Sequence, residues 1–385
     1  MLAEGALDGI RVIDMTSVVL GPYATQILGD YGADVIKIEP PAGDIMRYAG
    51  PMKNAGMGHI FINANRNKRS VVLDLKLAAQ RDILLQLCAT ADVLVFNIRP
   101  ASMARLGLSY EAVRAVNPGI IYAGAYGYSE GGPYSDFPAY DDLIQGAACM
   151  PWLMQQSGSD TPRYVPATFA DRITALNLVH AIMAGLIAKF KTNKGQAIEV
   201  PMFESVLQFI LGEHLAGETW QPPIAAMGHS RMLAANRKPY ATADGYVCAL
   251  MYNDAHWQAF LGLIGQPSLF NSDSRFTTQT ERIKHIDWLY GFVAQHMKTQ
   301  TTAHWLRELV AADVPAMPMM QLPDLLNDPH LCATGGWVDV PHPSEGLLRQ
   351  LRPPVRMSGT PISIRRPAPT LGEHTDEVLA ELRRN

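Results

Sequence analysis

The sequence is short of charge. Its 385 residues include 32 Lys and Arg and 36 Asp and Glu, so charged side chains make up 18%. An average globular protein carries roughly 25%. Hydrophobic residues reach 48%, too many for a disordered chain. The net charge of −4 leaves no basic excess, which excludes a nucleic-acid footprint. No unbroken apolar run approaches the roughly 18 residues that span a bilayer. The best candidate, Leu176 to Ala188, is about two-thirds of that length and carries Asn177 and His180. Neither nucleic acid nor membrane is therefore expected as a partner.

Cysteine is scarce too. Cys88, Cys149, Cys248 and Cys332 lie far apart among apolar or small neighbours, without the close pairs of zinc or redox motifs. They are expected to be buried, reduced thiols of a cytoplasmic protein. Eleven histidines are scattered with no H-x-x-x-H pair, so no metal site is expected. A Walker motif is absent. The first residues, MLAEGALDGIRV, hold acidic side chains and no long apolar core, unlike a secretory signal. Length predicts two domains, or one with a large insertion. The charge shortage itself admits two origins, a large oligomer interface or a deep apolar cleft.

What is present begins with alternation. Strand patterns at Gly9–Thr16, Ala33–Glu39, Ser70–Leu75, Asp92–Asn97 and Gly119–Ala125 alternate with helical patterns at Gly21–Tyr31 and Leu77–Thr90. Such order predicts an α/β fold with a parallel sheet covered on both faces. Ligands of these sheets bind beyond the carboxyl ends of strands, near the switch in strand order. Those ends hold Thr16-Ser17, Glu39, Asn97 to Arg99 and Tyr126 to Gly132. Helices are expected over Asp141–Gln155, Ile173–Lys189 and Phe203–Leu215, with a strand at Ala197–Met202. Gln221-Pro222-Pro223 breaks the pattern, and a hairpin turn is expected at Asp244-Gly245. Helices follow over Trp257–Ile264, Glu281–Met297 and Thr302–Ala311, and a last one over Thr375–Arg383. Domains are placed at residues 1–220 and 221–328, with 329–385 returning to the first.

Asp171, in YVPATFADRITALNLV, is the most informative residue. Before a long apolar helix it suits an N-cap, accepting from Ile173 or Thr174 N–H. It equally suits a nucleophilic carboxylate beside helix N–H groups that stabilise an oxyanion. Lys37, Arg47, Arg66, Lys68, Arg69, Lys76, Arg99 and Arg105 form a basic set near strand ends. A phosphate-rich ligand would need such groups, although scattered Lys and Arg are usually solvated surface. The Gly-rich run GAYGYSEGGP follows a strand but lacks a dinucleotide fingerprint.

Read together, ordered segments along the chain resemble the family III (CaiB/BaiF-type) coenzyme A transferases. They are GIRVIDMTSVVLGPYATQILGDYGADVIKIEPPAGD, NRNKRSVVLDLK, DVLVFNIRPASMARLGLSYEAV, NPGIIYAGAYGYSEGGPYSDFPAYD, the Asp171 segment, KTNKGQAIEVPMFES and PAPTLGEHTDEVL. The resemblance implies a Rossmann-like large domain built from both chain ends, a smaller α+β domain, and two chains interlocked as a homodimer. It implies acyl-CoA and a small carboxylic acid as substrates, with no tightly bound cofactor. Asp171 then takes the nucleophile's place, forming an acyl anhydride and afterwards an aspartyl-CoA thioester. The coenzyme is expected at Leu73, Lys76, Asn97, Ile98, Arg99, Arg105 and Arg47, and the acid near Ser17, Val19, Tyr140, Met202 and His229.

The sequence also departs from its relatives. Formyl-CoA-transferase-type members carry His and Gln where Ser17 and Val19 stand, and Arg where Pro40 stands. MGHSRMLAANRKPY replaces their Gly-rich shielding loop. Formyl or oxalyl transfer is therefore not expected, and dicarboxylates such as succinate, itaconate, mesaconate or glutarate are. An α-methylacyl-CoA racemase of the same fold is the main alternative. Its catalytic His aligns with Tyr140, a poor base at neutral pH, since the reference pKa of Tyr is about 10. A non-catalytic CoA-binding protein is a further alternative, against which the presence of Asp171 argues.

Overall fold

A computed structural model of the chain describes residues 5–384. Residues 1–4 and 385, which the sequence places at the two ends of the large domain and partly in the leading MLAEGALDGIRV segment, lie outside the described residues. The chain divides into two compact units, one of residues 1–148, 166–208 and 330–385, the other of residues 149–165 and 209–329. The boundaries at 220 and 328 thus shift, because residues 149–165 and 209–220 cluster with the second unit.

In chain order the first unit and its connections run β1 (Arg11–Met15), α1 (Leu20–Asp30), β2 (Asp34–Glu39), α2 (His59–Ala64), β3 (Lys68–Val72) and α3 (Ala78–Ala89). Next come β4 (Val93–Phe96), α4 (Pro100–Arg105), α5 (Tyr110–Val116) and β5 (Ile121–Tyr126). They are followed by α6 (Asp141–Ala147), α7 (Met150–Gln156), α8 (Phe169–Thr192), β6 (Gln196–Pro201) and α9 (Met202–His214). The six strands form one sheet in the order β3-β2-β1-β4-β5-β6, and all its pairs are parallel. Every residue of β4 and β5 is buried, as expected for parallel strands covered on both faces. One core joins Ile13, Ile36, Leu94 and Tyr122 to Leu84 and Leu87 of α3 and Val113 of α5. On the other face lie α1 and α8. There Gly185 lets α8 approach closely, since a Cβ would meet Ile198 at 2.9 Å and Ile121 at 3.3 Å.

Strand order reverses where β1 lies between β2 and β4. The loops after β1 and β4 therefore flank the crevice of the sheet. At the sheet's edge β3 is closed by the tail of the chain. Ser70 N–H donates to His374 Nδ1 (3.3 Å), His374 N–H to Ser70 O (2.9 Å) and Val72 N–H to Thr375 Oγ1 (3.1 Å). The LGEH motif thus satisfies an edge that would otherwise template aggregation.

Several sequence expectations are corrected. The helix expected over Asp141–Gln155 breaks into α6 and α7 at Cys149, which adopts φ 65°. Pro151 has no amide hydrogen and fits only a first turn, so the helix restarts at Met150. The helix expected over Glu281–Met297 likewise divides into Gln279–Lys284 and Ile286–Met297. Strand β3 starts earlier than Ser70, because Lys68 and Arg69 are strand residues whose charges are paired. Helix α8 runs for 24 residues, long and apolar enough by length and composition to cross a membrane. Nine of its residues, among them Ala175, Leu178, Ile182 and Leu186, are buried inside the unit. Of the cysteines only Cys88 is buried, which pushes its thiol up to about 12. Cys149, Cys248 and Cys332 are exposed, against the expectation of four buried thiols.

The second unit holds a three-stranded antiparallel sheet, Tyr240–Ala241, Tyr246–Ala249 and Ala316–Pro318. Its core is aromatic, with Trp257, Phe260, Phe276, Leu289 and Trp305 packed together. The expected turn at Asp244-Gly245 is present, with Thr242 N–H bonded to Gly245 O at 2.9 Å. The C-terminal hairpin, Trp337–His342 with Gly346–Leu351, belongs to the first unit.

Candidate active site

Asp171 lies in the first turn of α8, 8% exposed. It is not the N-cap, since Thr168 occupies that position. Among the described residues no donor bonds its carboxylate. Its backbone N–H instead donates to Asp141 Oδ1 at 2.9 Å. Asp141 opens α6, and its other oxygen accepts from Gln145 Nε2 at 2.6 Å, one turn on. Two carboxylates are thus held together at adjoining helix starts. Burial, reinforced by the charge of Asp141 and opposed by Arg172, pushes Asp171 up to about 7. A carboxylate so placed is poorly solvated, hence more nucleophilic once ionised. Sequence reasoning missed Asp141; an Asp at a helix start with Gln four residues on was the available signal.

The loop after β1 is built with unusual care. Val18 has φ 71°, a conformation costly for a β-branched residue. Asn97 holds the residue before it from both sides, accepting from Ser17 N–H (3.1 Å) and donating to Ser17 O (2.8 Å). Val18 N–H donates to Asp44 Oδ1 (3.2 Å), and Lys37 Nζ links Asp44 Oδ2 (3.1 Å) to Thr16 O (2.7 Å). Below, Lys68 Nζ bonds Asp14, Thr25, Asn65 and Pro22 O, all buried. Burial, partly offset by Asp14, draws Lys68 down to about 8. Buried charges with every bond satisfied make a rigid support for this strained turn. Gly21 is required beside it, since a Cβ there would meet Thr16 Cβ at 2.2 Å.

This arrangement corrects the basic set. Arg47 is fully buried, bonded through Nε and Nη2 to Glu39 at 2.7 Å each, with its guanidinium 3.7 Å from the Phe61 ring centre. It has no charge left for a ligand phosphate. Lys37, Arg66, Lys68 and Arg69 are likewise paired, with Asp44, Asp30, Asp14 and Asp34. Of this set, only Lys76, Arg99 and Arg105 stand exposed without a carboxylate partner among the described residues. Arg99 donates to Asp136 O at 2.7 Å and Arg105 to Ser102 Oγ at 2.8 Å. Leu73 is 3% exposed and packs in the core beside half-buried Ile98, so its side chain is taken up by packing. Asn97 likewise positions a loop with its side chain.

The remaining expected residues are dispersed. Val19 and Met202 are buried near the starts of α1 and α9. Tyr140, which precedes α6, is 67% exposed. His229 belongs to the second unit, where its Nδ1 accepts from Arg231 N–H at 3.2 Å. The Gly-rich run is no phosphate cradle: Ser129 N–H donates to Glu204 (3.2 Å) and Glu130 N–H to Glu199 (2.8 Å). Two clefts lie apart from Asp171. One, of about 460 Å³, is lined by Arg11, Asp34, Arg69 and Glu381, which pair among themselves. The other, of about 610 Å³, carries Glu111, Glu130 and Glu199 among aromatic rings, the wrong sign for a phosphate ligand.

Comparison with known proteins gives a consistent result. The sequence model described as CoA-transferase family III matches residues 7–375. A succinate–glutarate CoA-transferase of Agrobacterium fabrum is 33% identical, over 98% of this chain and 95% of that protein. The human succinyl-CoA:glutarate CoA-transferase is 31% identical, over 98% of this chain and 86% of its own. Among solved structures, a CaiB/BaiF family protein from Brucella suis superposes with TM-score 0.82 at 31% identity, covering 98% of this chain and 100% of its own. A protein from Mycobacterium tuberculosis superposes with TM-score 0.84 at 27% identity, covering 97% and 99%.

Proposed function

This chain belongs to CoA-transferase family III, and from that premise we propose that it moves CoA from an acyl-CoA to a free carboxylic acid through covalent intermediates on Asp171. As an enzyme of the CoA-transferase type it uses CoA thioesters as substrates. The observation that carries the mechanism is a nearly buried carboxylate, free of hydrogen bonds among the described residues, in the first turn of a long helix.

An Asp171 oxygen attacks the thioester carbonyl, the C–S bond breaks, and CoA leaves as thiolate. The thiolate attacks the Asp171 carbonyl of the resulting anhydride, releasing the donor acid and leaving an aspartyl-CoA thioester. The acceptor carboxylate then attacks that thioester, and the thiolate returns to the acceptor's acyl carbon, restoring the Asp171 carboxylate. No proton is consumed over the cycle. Each step proceeds through a good acyl donor, and both intermediates require exclusion of water. Lys76, Arg99 and Arg105 supply the unpaired positive charge near strand ends that CoA phosphates need. CoA is thus a substrate, with no tightly bound cofactor in the cycle.

An interlocked homodimer is part of the same proposal. Helix α8 exposes Leu176 (45%), Ile187 (52%) and Phe190 (64%). A helix apolar on both faces calls for a cover on its outer side, and a second copy of this chain supplies one. The racemase reading gains nothing from exposed Tyr140. The test is trapping: enzyme mixed with an acyl-CoA and quenched with hydroxylamine or borohydride is expected to carry its label on Asp171. Solvent deuterium entering the acyl α-carbon, with no label on Asp171, would overturn the proposal in favour of the racemase.

A further inference from the structure

We propose that Arg172 is the receptor for the distal carboxylate of a dicarboxylic acid, and so selects the acid that this chain uses. The inference rests on the Asp171 reading and adds what recognises the far end of the substrate. Arg172 directly follows the nucleophile in the first turn of α8 and is half-buried. Its guanidinium carbon lies 4.0 Å from the centre of the Tyr23 ring. Tyr23 belongs to the first turn of α1, just beyond the braced loop Ser17 to Val19. Arg172 is thus held against an aromatic face at the start of α1.

Its guanidinium is held by the ring and by no ion pair. Arg11, Arg47, Arg66, Arg69, Arg275 and Arg282 each pair with a carboxylate. The Arg172 guanidinium makes no hydrogen bond or ion pair among the described residues, although its charge bears on the neighbouring Asp171. Stacking on an aromatic ring fixes a guanidinium while leaving its edge N–H donors open. Those donors match a carboxylate in bidentate fashion. While one carboxyl group of the acid reacts at Asp171, a short dicarboxylic acid places its second carboxylate against Arg172. A monocarboxylic acid of equal length brings a methyl group to the same point and leaves a half-buried cation unsatisfied, so the site rejects it.

The test compares glutarate with pentanoate, acids of equal chain length, against one acyl-CoA donor. Wild-type enzyme is expected to prefer glutarate, and its glutarate KM to rise with ionic strength more than its pentanoate KM. In Arg172→Gln the ratio of kcat/KM for glutarate over pentanoate is expected to fall about 10- to 100-fold. Arg172→Lys should recover part of it, and Tyr23→Leu should lower it less than Arg172→Gln. A wild type without preference for glutarate, or variants that change both acids equally, would overturn the assignment. Hydroxylamine trapping on the same preparations separates the two levels. Label on Asp171 with an unchanged acid ratio defeats Arg172 alone, and no label in the wild type defeats the Asp171 reading beneath it.

Discussion

At the scale of single residues, the site is a negotiation between two carboxylates. Asp171 sits in the first turn of a helix, where the dipole favours negative charge. Burial and Asp141 nevertheless push it up to about 7. Asp171→Ala is expected to lower transfer by orders of magnitude while CoA still binds; comparable turnover in the variant would refute the nucleophile. Asp141→Asn keeps an oxygen for the Asp171 N–H but removes the charge. The acid limb of kcat/KM against pH is then expected to move down from near 7, and an unmoved limb would remove Asp141 from the argument. The same shift bears on stability. A carboxyl group whose folded-state pKa is raised binds more protons folded than unfolded, so it weakens the fold as pH rises from about 4 toward 7. Asp171→Asn should therefore raise the thermal midpoint at pH 8, with a smaller gain at pH 5. Functional groups commonly carry such a cost.

At the scale of elements, the β1–α1 loop and the tail on β3 decide geometry. Val18 stays at φ 71° because Asn97, Asp44 and Lys37 bond around it. Replacing it with glycine should relieve about 1 kcal/mol of backbone strain. Val18→Gly is expected to melt no lower than wild type yet transfer more slowly, because a looser turn positions substrate less well. A variant melting several degrees lower would contradict the strain. On the tail, burial holds His374 below its usual range despite Glu373 and Glu377. A base with a lowered folded-state pKa stabilises fully above its unfolded value of about 6.5, and that contribution fades as pH falls below it. Wild type should lose stability between pH 6.5 and 5 more steeply than His374→Asn, as thermal melts at each pH would show.

At the scale of the whole molecule, the charge shortage acquires a structural meaning. Part of the charge that the first unit does carry is inside it: Asp14, Lys37, Glu39, Arg47 and Lys68 are all at most 1% exposed. Apolar side chains meanwhile remain outside, along α8 among other places. With Ile187→Glu on that exposed stripe, light scattering is expected to show loss of the proposed dimer or aggregation. A wild type that is a stable monomer on dilution would count against the interlocked assembly.

The sequence by itself determined the alternating fold, the carboxylate at the start of the long helix and the family, because hydrophobic period and ordered motifs are local properties of the chain. It could not separate binding arginines from structural ones. Arg47 and Arg99 both follow a strand, yet one is locked on Glu39 and the other is open to solvent. Nor could it see that Asn97 braces Ser17 across 80 positions, or that Asp141 reaches Asp171 across 30. Pairing of that kind depends on which strand ends lie side by side. The strand order of the sheet decides it, and that order exists only in the tertiary structure.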